Sequence, residues 1–263
     1  RAVALAKGEY CWLMSDDDLL IPGAVRTVLV AVRKGFSLII ANAEVRNADL
    51  SNILESRRLL LNQDRVYASS ESEKFFTDTA RFLSFIGCVI IKRHIWEQRE
   101  KEKYFGTVFI HVGIIFQEPL PGQTLVISQP LLNIRYGNAQ WSVRGFEIWM
   151  FKWPELIWSF PGFSDAAKRK ICQREPWRRL TPLLSLRAQG VFSTKEYKKW
   201  IRPRTCSFFL RSAVLSICLL PAWMLNFAGI AYFRFLRRAP LNLLDLRKSP
   251  AYWKRIFPKF SDG

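Results

Sequence analysis

The sequence predicts an α/β fold followed by a mainly helical, basic extension, and three observations carry that prediction. Apolar runs of strand length alternate with runs of helix length through the first 145 residues. An acidic triplet, Asp16-Asp17-Asp18, stands one serine beyond the first apolar run. Further on, Ser212 to Phe233 is an uncharged stretch of 22 residues bracketed by Arg211 and Arg234. The chain accordingly divides into residues 1–145, a basic helical extension over 146–205, and a hydrophobic membrane-docking helix with a basic tail over 206–263.

Arg1 to Lys7 has helical character and Gly8 offers a C-cap. Tyr10 to Met14 reads as a buried strand. Pro22 opens a helix to Val32, because a proline in the first turn loses only an N–H that the helix leaves unbonded. This order puts the acids at the C-terminal edge of a strand, where open α/β sheets bind ligands. Gly35 to Asn42 is the next strand and closes a βαβ unit. Ala43 to Tyr67 is polar and mixed, and is expected to be a surface excursion. Glu71 to Arg81 is predicted helical, Phe85 to Lys92 a strand, Arg93 to about Lys103 a charged helix, and Thr124 to Ser128 an edge strand. Phe146 to Trp158 is aromatic-rich and expected to be helical up to Pro154.

Three adjacent carboxylates repel one another and resist ionisation, and a divalent cation is the usual way to keep them charged. A solvated turn is the plain alternative. Net charge is +18, unevenly placed: residues 1–150 hold 18 Lys/Arg against 16 Asp/Glu, and residues 151–263 hold 22 against 6. A basic tail of that kind seeks phosphate, in nucleic acid or in anionic lipid. No helix-turn-helix, zinc or RRM signature is visible, which disfavours nucleic acid as the partner. The five cysteines are scattered without paired spacing and read as buried free thiols. The 22-residue stretch is long enough to span a hydrocarbon core as one helix. Pro221 breaks it near the middle and both flanks are basic, so a bent or re-entrant helix stands beside a true span.

Ala6-Lys7-Gly8-Glu9-Tyr10, the apolar strand, the acids and Pro22-Gly23-Ala24 together resemble the family 2 glycosyltransferases of the GT-A fold, a Rossmann-like sheet, over about two dozen positions. The resemblance implies that the acids hold Mg²⁺ or Mn²⁺ against the diphosphate of a nucleotide sugar. Counting back from Pro22 makes Asp17 and Asp18 the metal ligands and Asp16 the ribose contact; a register of Asp16-x-Asp18 shifts the roles by one. It also implies that base-recognising βαβ units precede residue 1, so this chain would be the C-terminal part of a longer enzyme and inactive alone.

His111 lies in the apolar run Tyr104 to Gly113 and is by itself most simply a structural histidine. In many family 2 enzymes an acidic pair with a catalytic base occupies that place. Ile110-His111 departs from the pair and resembles a subset of O-antigen sugar transferases, the abequosyltransferase type among them. On that resemblance His111 is the general base, a metal ligand or a diphosphate contact. Arg135-Tyr136-Gly137-Asn138 and Trp141-Ser142 resemble a segment that closes over diphosphate or acceptor: Arg135 offers a fork for phosphate oxygens, Asn138 sits beside it, and Trp141 offers a flat face for a sugar. A basic surface loop with one buried indole is the other reading.

The expected function is metal-dependent transfer of a sugar from a nucleotide-diphosphate donor to a polyprenyl-diphosphate-linked glycan. The expected place is the cytoplasmic face of a bacterial inner membrane, with the basic tail on anionic lipids. A GT-like membrane scaffold that has lost catalysis is the alternative.

Overall fold

The computed structural model describes residues 2–137 and 143–256. They form two compact units, 2–137 with 155–174, and 143–154 with 175–256. The first is built on a seven-stranded mixed sheet of β1 (Tyr10–Trp12), β2 (Leu19–Leu20), β3 (Leu38–Arg46), β4 (Ile53–Glu55), β5 (Arg65–Tyr67), β6 (Val89–Lys92) and β7 (Thr124–Arg135). The order is β1-β6-β3-β7-β2, with β4 added to β3 and β5 to β7.

β3 and β7 form the parallel centre. Each carries two short antiparallel partners end to end on its outer edge: β6 then β4 along β3, β5 then β2 along β7. Leu38 to Ala41 and Val89 to Ile91 are buried without alternation, as strands covered on both faces require. β1 and β3 run in the same direction around α2 (Ala24–Val32), as a βαβ unit demands, but β6 is inserted antiparallel between them. Gly23 precedes α2 with φ of 85°, a left-handed turn that glycine adopts without strain. α1 (Ala2–Leu5), α3 (Ser72–Thr79), α4 (Arg93–Gln98), α5 (Ile110–Phe116) and α8 (Asp165–Ile171) complete this unit, and Phe163 stacks on Phe76 with centroids 4.1 Å apart. Between α5 and α8, α6 (Gly145–Glu147) and α7 (Trp153–Trp158) flank a π-helical turn over Ile148–Lys152.

Several expectations are corrected. Residues 43–67 are not merely a surface excursion, because β3 runs on to Arg46 and the segment adds β4 and β5. Asn42 makes this possible: it is wholly buried, and its side-chain amide donates to the Ser128 and Leu59 carbonyls across a shift in the β3–β7 register. Thr124 to Ser128 is the first part of a twelve-residue strand paired on both edges, not an edge strand. Pro130 is tolerated there because it lies at the register shift opposite Asn42. The strand expected from Phe85 begins only at Val89, since Ile86–Cys88 is a 3₁₀ turn with the Phe85 ring folded over Gly87. α4 stops at Gln98 because Arg99 turns extended and buries its guanidinium on the carbonyls of Ile114, Glu118 and Pro119. The aromatic helix continues through Pro154, and the wider π turn just before it gives the proline ring room.

The second unit is helical: α9 (Leu180–Ala188), α10 (Thr194–Glu196), α11 (Phe208–Leu219), α12 (Ala222–Ala231), α13 (Pro240–Lys248) and α14 (Trp253–Ile256). Phe146, Phe151, Leu183, Phe192, Ile201 and Val214 are among its core residues. Among the described residues no single helix is long and apolar enough to cross a membrane. Of the two readings of the uncharged stretch, one straight helix and a bent one, the structure has the bent one: two helices at 85°, Phe208–Leu219 and Ala222–Leu236. Pro221 explains the break, since it removes a backbone donor and forces Leu220 out of helical geometry to ψ of 135°.

Candidate functional site

The acid loop joins the two flanks of the sheet. At its start the Trp12 indole donates to the Gly87 carbonyl at 2.8 Å and the Leu13 amide to Val89 at 2.9 Å. At its end β2 pairs Leu19 with Asn133 and Leu20 with Leu132, and the Ile21 amide donates to the Leu131 carbonyl. Residues 13–18 therefore carry the chain from β1, on one side of the central strands, to β7 on the other.

Within the loop Asp16 is exposed, while Asp17 and Asp18 are half-buried. The Ser15 hydroxyl donates to one Asp18 carboxylate oxygen and the Arg135 amide, at 3.0 Å, to the other. Burial pushes the Asp18 carboxyl above its ordinary range; the two hydrogen bonds and the Arg135 charge oppose that, and the Asp17 carboxylate adds to it. Arg135 staples the loop from a second direction. Its Nε donates to the Asp17 carbonyl at 3.0 Å and its Nη1 to the Ala48 carbonyl at 2.6 Å, tying the acids to the β3–β4 turn. Asp17, Asp18 and Arg135 are thus brought together from residues more than a hundred positions apart.

Three neighbours escape a reading of the sequence as loops and motifs. In the parallel register Glu44 faces Asn133 and Arg46 faces Arg135, which puts all four side chains on one face of the sheet. Glu44 and Arg46 form an ion pair at 2.5 Å. Asn133 has a buried side-chain oxygen that meets no hydrogen-bond donor among the described residues. The alternation Asn133-Ile134-Arg135 was the available signal, because a period of two puts Asn133 on the same face as Arg135.

His111 sits elsewhere. It lies in the first turn of α5, 2% exposed, with Nε2 2.6 Å from the Leu83 carbonyl. A carbonyl only accepts, so the proton is on Nε2, and Nδ1 is left buried without a donor among the described residues. Burial drives the imidazole pKa down to about 4, against the smaller opposing effect of the Leu83 bond. Asn138 and Trp141 lie outside the described residues. Among those described, no three His, Cys, Asp or Glu side chains gather as a metal-ligand set. Mg²⁺ and Mn²⁺ do not require one, since hard cations in phosphate sites take one or two carboxylates and complete their shell with phosphate and water oxygens. The acid loop offers such a set, with Asp16 open to solvent and each Asp18 oxygen retaining a lone pair beyond its single hydrogen bond.

No protein-family profile matches the chain. Over 154 residues, 55% of the chain, it is 25% identical to abequosyltransferase RfbV of Salmonella typhimurium, and the match covers 46% of that protein. The chain spans about half the length of the curated relative it matches. This distant, partial likeness supports a glycosyltransferase relationship and nothing finer.

Proposed function

We propose that the chain carries the diphosphate-binding part of a metal-dependent glycosyltransferase with a GT-A-like sheet, acting on a nucleotide-diphosphate sugar and a polyprenyl-diphosphate-linked glycan at the cytoplasmic face of a bacterial inner membrane. The observation that carries this reading is the acid loop, held from two sides by Arg135 at the end of a parallel strand pair. Asp17 and Asp18 would hold Mg²⁺ or Mn²⁺, and Asp16, the exposed acid, would meet a ribose hydroxyl. A bound cation supplies positive charge opposite the leaving diphosphate. Asp18 has a second task in this reading: its hydrogen bonds to Ser15 and the Arg135 amide keep the loop in one shape, so little ordering is left to do when the donor arrives. Arg135 positions the loop, and with Asn138 and Trp141 it would contact donor or acceptor.

His111 has two readings. A general base must come within hydrogen-bond reach of the hydroxyl it serves, so base chemistry would require this ring to be uncovered. As placed, it serves by tying α5 to the Leu83 carbonyl. Its burial also favours a second functional reading, a scaffold that binds metal and donor without turnover.

Nucleotide release by the whole protein in membranes, measured with Mn²⁺ across a panel of nucleotide sugars, separates these possibilities. Asp17→Ala is expected to remove turnover, by about 100-fold or more, with an unchanged thermal midpoint. His111→Gln is expected to lower the midpoint but keep turnover per folded molecule; a loss of turnover at unchanged stability would make His111 the base. Metal-dependent nucleotide binding with no turnover on any donor and lipid acceptor would leave the scaffold.

A further inference from the structure

The helices α11 and α12 are two-faced in a way that an aqueous surface does not explain. Leu210, Val214, Ile217 and Cys218 recur at helical spacing and pack into the core of the second unit. The opposite face is mostly apolar, with only Ser212 and Ser216 as exposed polar residues between Arg211 and Pro221, the Ser216 hydroxyl turned back to the Ser212 carbonyl. Phe208, Phe209 and Leu219 are 75%, 85% and 69% exposed on α11, and Phe227, Phe235 and Leu236 are 55%, 71% and 77% exposed on and just beyond α12. The two helices themselves contribute no charged residue between Arg211 and Arg234. A helix facing water carries polar residues on that side.

We infer that α11 and α12 form a wedge that enters one leaflet of an anionic bilayer and returns, without crossing it. Three observations carry this. First, the apolar face is bounded by cations, with Arg202, Arg204 and Arg211 at its entry and Arg234, Arg237 and Arg238 at its exit. The Arg211 guanidinium donates to the Arg202 carbonyl at 3.2 Å, which ties the start of α11 to the basic segment before it. Residues 143–154 and 175–256 hold 18 Lys/Arg against 4 Asp/Glu, so the unit as a whole complements anionic headgroups. A second copy would set the same arginines against its own and is disfavoured.

Second, the bend is fastened from within. At the corner the Leu220 carbonyl accepts from Arg187 Nε at 3.0 Å. Asn226 is wholly buried, its amide donating to the Ala188 carbonyl at 3.0 Å and the Leu246 carbonyl at 2.9 Å. Gly229 lies so close to Leu246 that an added Cβ would stand 2.9 Å from its Cδ1. Straightening the pair into one transbilayer helix would break these bonds and bring the Asn226 amide into hydrocarbon. Third, the lengths fit a leaflet. Twelve residues of α11 and ten of α12 rise about 18 Å and about 15 Å; with the 85° bend between them a symmetric wedge reaches roughly 10–12 Å deep, inside the roughly 15 Å of half a hydrocarbon core.

This inference does not depend on the sugar-transfer reading. Flotation of the whole chain tests it, with vesicles of phosphatidylethanolamine and phosphatidylglycerol compared with pure phosphatidylcholine. The protein is expected to float with the anionic vesicles and less with the zwitterionic ones. Phe227→Glu with Phe235→Glu is expected to weaken partitioning about tenfold or more on both. Arg234→Gln with Arg237→Gln is expected to weaken it about 30-fold on the anionic vesicles alone. These four side chains are exposed, and an unchanged thermal midpoint verifies that the variants fold. On preformed vesicles a membrane-impermeant maleimide is expected to label exposed Cys206 and Asn242→Cys equally from outside, because both ends of the wedge stay on one side. Protection of Asn242→Cys until detergent is added would mean a span and would overturn the inference. So would absence of vesicle binding, equal binding to both lipids, or a self-associated species that Phe227→Glu with Phe235→Glu disperses without any vesicle binding.

Discussion

Asp18 in the acid loop and His111 in α5 are both ionisable groups set beside apolar sequence, and the fold treats them in opposite ways. Asp18 stays half-exposed, takes one hydrogen bond from Ser15 and one from the Arg135 amide, and keeps neighbours whose charges matter to it. His111 is sealed in the core, has one carbonyl partner and faces no charged group among the causes of its shift. One arrangement keeps charge available at the surface; the other suppresses it. Polarity in a sequence therefore marks chemistry only where the fold supplies donors and leaves an approach for a ligand.

The largest effect that tests this contrast falls on Arg135. Arg135→Met removes both side-chain bonds that hold the acid loop, to Asp17 and to Ala48, while the amide bond to Asp18 survives. Turnover of the whole protein is expected to fall about 100-fold, since small misplacements of reacting groups cost that much. Arg135→Lys restores the charge but cannot reach two carbonyls in different directions, so it is expected to recover little. Recovery by lysine in a steady-state assay would mean that Arg135 acts on substrate charge and does not staple the loop.

On the other side of the contrast, His111 predicts a pH dependence of stability. Its folded-state pKa of about 4 lies below the ordinary 6.5, so the unfolded chain binds the proton more readily in that window. Stability is full above pH 6.5 and is lost as pH falls towards 4, by about 3 kcal/mol at most. His111→Leu is expected to be about 1 kcal/mol less stable at neutral pH, through the unsatisfied Leu83 carbonyl, and to lose that component of the pH slope. Denaturant melts of both proteins between pH 4 and pH 7.5 check it. An unchanged slope in His111→Leu would mean that the ring is not buried in solution.

Two glycines sharpen the contrast at the level of packing. A Cβ on Gly113, in α5, would stand 2.3 Å from Cγ of Tyr104, inside a ring that has nowhere to go. Gly113→Ala is expected to cost about 2–3 kcal/mol through overpacking. Gly23, just after the acid loop, has open space around a Cβ and only its φ of 85° to object. Gly23→Ala is expected to cost about 1 kcal/mol. Thermal midpoints of the two variants, measured side by side, rank the regions directly.

Legibility in the sequence followed the range of the interactions. The β1 strand, the acids, α2 and the start of β3 were readable because near neighbours determine them: an apolar run, a turn-forming glycine, and a proline that lies in the turn before α2 and not, as expected, in its first turn. β4, β5 and the second half of β7 were not, because their backbone partners are supplied from far away, by Asn42 to Ser128 and by β3 to β7. Arg135 was readable as a cation near the site, whereas its hold on two backbone carbonyls was not, since a carbonyl leaves no trace in composition. The bend at Pro221 was legible as an interruption of the uncharged stretch. What fastens it, Asn226 on α9 and α13, depends on tertiary contacts that residue spacing does not encode.

The smallest predicted effect tests whether Asp18 serves folding or function. Its raised carboxyl pKa means that ionisation is less favourable in the folded chain than in the unfolded one. The associated stability is full below the ordinary value of 3.8 and is lost as pH rises through the raised value, so at neutral pH the charge is a mild burden. Asp18→Asn keeps the shape: the amide oxygen can accept from the Arg135 amide, and the amide nitrogen can donate to the Ser15 hydroxyl. Because the group is only half-buried, solvent screening limits the gain, and Asp18→Asn is expected to be more stable by no more than about 0.5 kcal/mol. The same variant is expected to bind Mn²⁺ with nucleoside diphosphate more weakly, as a ligand that has lost its charge must. Calorimetric titration and a thermal melt on one preparation read both signs. Weaker binding at equal or higher stability identifies a charge retained for a ligand at the expense of the fold; unchanged binding with lower stability makes Asp18 a turn residue and leaves the metal to Asp16 and Asp17.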